Sequence, residues 1–512
     1  TVSFGSFKVR HKLNKLRQCT SSGPDGIQAV LLKNASESLA LPLSQLYEFL
    51  FNSHCVPKEW KLAMVTPIFK KGSSADVANY RPISLTCLCC KIMESIIKDE
   101  LLSYLLSKGL ISRHQHGFLR RRSTGTQLLD CLNDWTLNLE NKLSTDVIYV
   151  DFSKAFDSVV CSKLIIKLVS YGISGNLLYW ISDFLTSRYQ FVSVDGFSSN
   201  TVPVVSGVPQ GSVLGPILFV LYINDICDII VGNTLCKLYA DDVKLYSTVD
   251  FSGTSSDLNN TLNNLSLWAC TWQLKVNINK CNVFRVGKSC IFNDYVLDAI
   301  ILPRVDKVTD LGIIISSDLN FSDYVNACVS KSYSRSFLIF KGFVCRNPEL
   351  LLKAFITYVR PLLEYNTFIW CPSDIGSIKK IEKVQRRFTK RISAISHLSY
   401  KDRLAYLGLE TLEYRRLKFD LIMFYKIVHN LVDVDRDSLI TIRPTSSSTR
   451  NSVLKIFKPS CMSTVRSNFL SIRCVNVWNY LNESVRTSPS VVSFKSAISA
   501  YNLSSFLKVY KF

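Results

Sequence analysis

Three carboxylates carry the first suggestion of chemistry in this sequence. Asp241 and Asp242 are adjacent, in Tyr239-Ala240-Asp241-Asp242, between two short runs of alternating polarity, Leu235 to Tyr239 and Val243 to Thr248. Two period-two runs joined by a short polar turn predict a β-hairpin with both carboxylates at its tip. Such a pair repels itself and loses solvation when ordered, and a divalent cation neutralises it. Alone, Asp-Asp in a turn is more often a solvated turn. The neighbours change that reading. A short apolar strand, Asp146 to Val150, ends at Asp151, and the order that follows is two helices, a Gly/Pro turn at 206–216, an apolar helix and the Asp-Asp hairpin. Asp151, Asp241 and Asp242 on neighbouring strand tips would suit two magnesium ions ~3.5–4 Å apart, with Mn2+ able to substitute. One ion would lower the pKa of an attacking hydroxyl and the other would stabilise the leaving oxygen. That is nucleotidyl transfer.

The composition supplies a substrate class. Lys and Arg number 61 against 40 Asp and Glu, a formal charge of +21 over 512 residues, which points to a polyanionic partner. Of 47% hydrophobic and 20% charged content, the chain is globular rather than disordered, with length for several domains. Its 17 cysteines show no paired metal-ligand spacing, which argues against zinc and for reduced thiols in the nucleus and cytoplasm. The longest strongly apolar run, Val213 to Ile223, is too short to span a bilayer, so no membrane partner is expected. The chain begins at Thr1 without a basic-then-apolar leader and reads as a piece of something longer.

The elements that must position the carboxylates follow from periodicity and punctuation. Ser22-Gly23-Pro24-Asp25-Gly26 is a turn leading into helical pattern, and Trp60 to Phe69 is strand-like before Lys70-Lys71-Gly72. Helices are expected from about Cys90 to Ser107 and from near Thr124, the latter just after the basic triplet Arg120-Arg121-Arg122. His114 and His116 lack a third ligand and are not taken as a metal pair. Helices over 158–171 and 175–187, and a strand pair across Asp195-Gly196, precede the Gly/Pro turn. Asp157 and Asp225 are expected on helices as caps or surface groups. Leu274 to Phe284 is expected to hold a strand pair around Asn279-Lys280, and Val308 to Ile315 a single strand. Asn347 with Pro348 opens a helix. In the next helical stripe, Lys379, Lys380, Lys383, Arg386, Arg387, Lys390 and Arg391 stand against one Glu382, a face suited to a phosphate backbone. Pro444 to Thr449 reads as a Ser/Thr-rich linker.

The ordered motifs resemble the reverse transcriptase of a non-LTR, LINE-type retrotransposon of the jockey or chicken-repeat kind. They are GPDGI at 23–27, NYRPISL at 79–85, QHGF at 115–118, DFSKAFDSV at 151–159, SGVPQGSVLGP at 206–216, YADD at 239–242 and DLGIII at 310–315. VRPLLEY at 359–365, VQRRFTKRI at 384–392 and LGLETLEYRR at 407–416 resemble the tail of the same elements, so the likeness covers nearly the whole chain. The resemblance implies Asp151 and Asp241 as metal ligands and Asp242 as a third acidic member. It places Phe156 beneath the sugar of the incoming nucleotide, and Gln210 with Gly211 against that nucleotide and the template. Arg81, with Lys70 or Lys71, would hold the triphosphate, and Lys280 falls in the family's fourth palm motif. Arg120, Arg121, Arg122, Lys383, Arg386, Arg387 and Lys390 are the candidate nucleic-acid contacts.

The implied fold is an α+β right-hand polymerase. It comprises an N-terminal extension at 1–59, fingers at 60–145, a palm with an antiparallel sheet at 146–320, a helical thumb at 321–395 and a mainly helical C-terminal region at 396–512. The implied function is RNA-directed, target-primed DNA synthesis, with template RNA, a DNA primer, dNTPs and chromosomal target DNA as partners. An endonuclease is expected to be encoded upstream, because nothing here resembles one. The rival readings are an RNA-templated RNA polymerase, a group II intron maturase-like enzyme and a catalytically dead nucleic-acid-binding relic.

Overall fold

Alternating apolar runs build two five-stranded sheets, and the second carries the three carboxylates. The protein is described from a computed structural model over residues 2–249, 256–288, 293–443 and 454–510; the expected linker at Pro444 to Thr449 lies outside them. In chain order, β1 (Leu62–Phe69) pairs antiparallel with β2 (Tyr80–Leu85), and β3 (Ser144–Val150) begins the other sheet. Then β4 (Arg188–Val194) returns to lie parallel to β1, while β5 (Phe197–Ser198) and β6 (Val202–Val204) pair with β4. The first sheet therefore joins strands more than 100 residues apart. Next come β7 (Leu235–Tyr239), β8 (Asp242–Val249) and β9 (Asn282–Val286). A short hairpin of β10 (Val296–Leu297) and β11 (Ile300–Ile301) precedes β12 (Arg304–Val305), which completes the order β12-β9-β3-β8-β7.

The central strand β3 is buried on both faces, and the period of two divides its neighbourhood between two cores. Ile148, Val150, Val243, Leu245 and Val283 join the core shared with the N-terminal helices, whereas Val147, Tyr246, Phe284 and Val286 join the core shared with the C-terminal helices. Both cores thus fix one sheet from opposite sides. The helix Thr124–Glu140 packs on the second face, started by a capping box in which Ser123 and Thr126 exchange hydrogen bonds. Beyond residue 321 the described chain is mainly helical, with long helices at Ser322–Gly342, Pro348–Tyr358, Ile375–Lys390 and Leu412–Val428. Asn347 caps the second of these through Glu349 and Leu350, as its sequence position predicts. Among the described residues no helix is long and apolar enough to cross a membrane.

Two strand expectations are corrected. Leu274 to Phe284 is not a hairpin: Val276 bridges Phe152, Ile278–Lys280 is a 3-10 turn, and β9 pairs with β3 instead. Val308 to Ile315 is not one strand but a hairpin of β13 (Lys307–Asp310) and β14 (Ile313–Ser316), reversed at Leu311 and Gly312, both at positive φ. Apolar alternation continued through the turn and hid it; Gly312 was the visible signal.

Candidate active site

The hairpin tip forms as the sequence predicts. β7 and β8 pair with Tyr239 opposite Asp242, leaving Ala240 and Asp241 as a two-residue turn. Ala240 sits at φ 54°, a strained value for a residue with a side chain. The strain is held from outside. Gln115, fully buried, accepts hydrogen bonds at Oε1 from the N–H groups of Ala240 (2.9 Å) and Gly117 (2.7 Å). The backbone joins in, since His116 N–H donates to Leu238 O and Leu238 N–H to His114 O. Gly117 lies so close to the turn that a Cβ there would meet Ala240 N at 2.4 Å. The 115–118 motif therefore has a physical role, which is to clamp the Asp-Asp turn.

Asp151 follows directly on β3, whose last pair is Val150 with Val243, so it arrives beside the tip from the adjacent strand. Lys280 Nζ approaches Asp151 Oδ2 to 2.9 Å without hydrogen-bond alignment, and that buried oxygen has no aligned donor among the described residues. The Asp241 carboxyl is pushed up, first by burial and further by Asp151, while Arg81 and Lys70 pull it down. Asp242 keeps an exposed edge, yet burial and then Asp241 push it up to about 6. Among the described residues no three His, Cys, Asp or Glu side chains converge to hold a metal ion by themselves. Behind the tip, Lys244 and Asp310 form a buried ion pair at 2.7 Å, joined by Gln127 and Tyr149, a network that no local sequence signal announces.

The other nucleotide-side candidates line up along the loop after Asp151. Phe156 stacks on Phe219 with centroids 4.1 Å apart and meets Phe118 edge-on at 6.0 Å, remaining half-buried. The 206–216 loop is fastened to this turn by Gly207 N–H to Val159 O and Val208 N–H to Phe156 O. Gln210 donates from Nε2 to Asp157 Oδ1 at 2.8 Å, and its carbonyl accepts from Ser84 N–H at 2.7 Å. Gly211, at φ 123°, lies against Ser84 so closely that a Cβ would meet Ser84 O at 2.2 Å. Glu94, fully buried, accepts from Val213 and Leu214 N–H and secures the loop's far end. Lys70, Lys71 and Arg81 are exposed where the loop 70–79 joins β1 to β2.

Two corrections concern acidic residues. Asp157 is neither a cap nor a surface group; it orients Gln210. Asp225 lies on the 3-10 segment Asn224–Ile229 and binds Lys167 Nζ at 2.6 Å and Trp268 Nε1 at 3.1 Å, an interior role. The two histidines are structural as well, His116 contacting Thr126 and Asp130.

The basic candidates separate. Arg120 is mostly exposed, 3.3 Å from Asp99. Arg121 donates to Asn430 O, and Arg122 is nearly buried, binding Asp433 at 2.6 Å and the carbonyls of Ser112 and Gln115. Arg122 thus braces the loop that clamps the turn. On the helix Ile375–Lys390, Lys383, Arg386, Arg387 and Lys390 are exposed, with Arg386 and Arg387 over the rings of Tyr400 and Tyr333. Glu382 points the other way and is buried.

A family model described as reverse transcriptase (RNA-dependent DNA polymerase) matches residues 68–315, the span that holds the whole β12-β9-β3-β8-β7 sheet and all three carboxylates. Residues 68–315 belong to the reverse transcriptase family. The reverse transcriptase domain and its flanks are similar to a probable RNA-directed DNA polymerase from transposon BS of Drosophila melanogaster, at 27% identity over 73% of this chain and 43% of that protein. They are also similar to the RNA-directed DNA polymerase from mobile element jockey of the same organism, at 26% identity over 75% of this chain and 43% of that protein. A probable RNA-directed DNA polymerase from transposon X-element matches at 26% identity over 75% of this chain. The non-LTR likeness drawn from the motifs is therefore what the relatives show, and the rival families are not favoured. This chain spans less than half the length of each of these three relatives.

Proposed function

We propose that this chain carries out RNA-templated DNA synthesis for a non-LTR retrotransposon, extending a primer 3′ hydroxyl, with a nicked chromosomal target as the primer source. One observation carries the reading. Asp151 and Asp241 reach the same corner from adjacent strands, in a place where their charges raise rather than cancel one another's cost. Family membership implies a template RNA and a primer. The right-hand arrangement is proposed with fingers over 60–145, palm over 146–320, thumb over 321–395 and a C-terminal region beyond, β4 to β6 being added to the fingers sheet by the chain that follows β3.

Reverse transcriptases use divalent metals, and the residues here fit them. Magnesium is held by one or two carboxylates together with substrate phosphates and waters rather than by an all-protein cage. Asp151, with its undirected buried oxygen, and Asp241, with its raised carboxyl, would hold it, and Asp242 would add charge from the rim. When bound, Mg2+, as a pair of ions, or Mn2+ in its place, supplies positive charge to the phosphates and acidifies the primer hydroxyl. The chain's own residues orient the reactants. Lys70, Lys71 and Arg81 receive the triphosphate, Arg81 and Lys70 lying near enough to Asp241 to pull its carboxyl down. Phe156, backed by Phe219, supplies a firm surface beneath the sugar, and the Gln210–Gly211 loop, fixed by Asp157 and Ser84, lies against the nascent pair. Lys280, 2.9 Å from Asp151 on its 3-10 turn, adds a positive charge on the nucleotide side.

The test is extension of a primed RNA by the purified chain with dNTPs and Mg2+ or Mn2+. Asp151→Asn and Asp241→Asn are each expected to abolish extension while template binding and melting temperature persist. Extension near the wild-type rate by either variant would overturn the assignment.

A further inference from the structure

The clamp on the Asp-Asp turn carries a side chain that the clamp itself does not use. Phe118 follows Gly117 directly, sits at φ 59° and is 50% exposed. Positive φ is costly for a bulky side chain, and a large ring left half in solvent forgoes burial. Both costs are borne at the corner that holds the carboxylates. Before Phe118, Gly117 N–H donates to Gln115 Oε1 at 2.7 Å, and a Cβ on Gly117 would meet Ala240 N at 2.4 Å. After it, Leu119 is buried in the core shared with the N-terminal helices. The chain is thus pinned on both sides of the strained residue, and the ring is held out between the pins. Its edge meets Phe156 with centroids 6.0 Å apart, and Phe156 stacks on Phe219 at 4.1 Å. Strain that the flanking structure imposes is a pointer to use.

We propose, on the polymerase reading above, that Phe118 is a specificity-determining residue for extension, its ring packing against the minor-groove edge of the base pair at the primer terminus. The incoming sugar lies over Phe156, and the primer 3′ hydroxyl must reach Asp151 and Asp241. The terminal pair therefore lies beside the one segment that touches both neighbourhoods, Gly117 at the turn and Phe118 at Phe156. An RNA–DNA hybrid is A-like, and its minor groove is wide and shallow enough to admit a flat ring. Minor-groove edges hardly distinguish one Watson–Crick pair from another, and a phenyl ring has no donor or acceptor with which to read them. What it can read is shape. A matched pair presents one width whatever its sequence, whereas a mismatched pair draws its sugar edges away from the ring or drives them into it, and close-packed contacts are lost either way.

The test is equilibrium binding of the full chain, in EDTA, to a fluorescent DNA primer on an RNA template with a matched or a mismatched terminal pair, read by anisotropy. Wild type should hold the matched hybrid about fivefold tighter. Phe118→Ala should bring that ratio close to one, and Phe118→Tyr, which keeps the ring, should preserve it. Phe118→Gly carries the same test should the Ala variant fail to fold, because Gly adopts φ 59° without steric cost. Equal ratios in wild type and the Ala or Gly variant, or no preference in wild type, overturn the proposal. A second measurement separates a sensor from a brace. If the ring merely supports Phe156, its removal raises use of CTP relative to dCTP in Mg2+ and leaves the matched-to-mismatched ratio as in wild type, which also overturns the proposal. Because binding is read without metal, a wild-type chain that discriminates termini through Phe118 but extends none of them in Mg2+ or Mn2+ would sink the polymerase reading and leave the sensor standing.

Discussion

The strand β3 carries a carboxylate near each end, and the two are treated in opposite ways. Asp146 is fully buried and faces Arg285 across the ladder, which donates through Nε and Nη2 at 2.6 Å each, with Tyr295 Oη adding a third bond at 2.8 Å. Asp151, five residues on, is a third exposed and has Lys280 beside it without an aligned hydrogen bond. One end of the strand is closed and charge-balanced; the other is crowded with like charge. The difference separates two uses of the same side chain. A carboxylate that serves the fold has its acceptor sites filled, and one left half-served among other carboxylates awaits a ligand.

The comparison is broken most directly at its closed end. Asp146→Ala should cost about 3 kcal/mol or more in urea unfolding, because it strips a buried guanidinium of its bidentate partner. Asp151→Asn should stay within about 1 kcal/mol of wild type in the same assay, since it removes repulsion along with one ion pair. Equal destabilisation by the two would erase the distinction between the ends.

A smaller effect is expected one layer out. Gln115→Leu removes the acceptor for both Ala240 and Gly117 N–H groups and should cost about 2 kcal/mol. Because the turn then relaxes from its strained φ, primer extension should fall about 100-fold with template affinity retained. Retention of full extension would mean that the turn holds its shape without the clamp.

The smallest effect sharpens the open end through pH. The Asp242 carboxyl is raised in the folded chain to about 6 from the ordinary 3.8, so the folded state carries a penalty once that group ionises. The penalty is absent below pH 3.8, grows between 3.8 and 6, and is fully present above 6. In EDTA at pH 7.5, Asp242→Asn should therefore melt higher than wild type, by at most about 1 kcal/mol after solvent screening of its exposed edge. The gap should close as pH falls through 6 toward 4, and Mg2+ should close it at neutral pH. A gap that widens at low pH would show the carboxylate to be stabilising instead.

The open end was the legible part of this sequence. Period-two runs flanking Asp241, an apolar strand stopping at Asp151 and the Asn347-Pro348 cap are local signals, and each element formed where its signal lay. The closed end was not legible, because Asp146 meets Arg285 at a separation of 139 residues and nothing in either neighbourhood announces the partner. Gln115 stands out in the sequence only as part of a motif; its clamping role becomes visible once 115–118 is known to lie beside 238–240. Asp157 and Asp225 were misassigned for the same reason, each satisfied by a donor more than 40 residues away. The hairpin at Lys307–Ser316 was lost to a different cause, apolar alternation running through a tight reversal.

The brace on Arg122 has a consequence for how the molecule is made. Asp433 holds Arg122, whose guanidinium holds the carbonyl of Gln115, whose side chain in turn holds the Asp-Asp turn. A ribosome delivers residue 242 long before residue 433. During that interval the nascent chain already owns every carboxylate of the site but lacks the last link that sets their posture. A chain that ends within the helical tail, before residue 433, would carry the Gln115 clamp and lack, of these links, only the contact of Asp433 with Arg122.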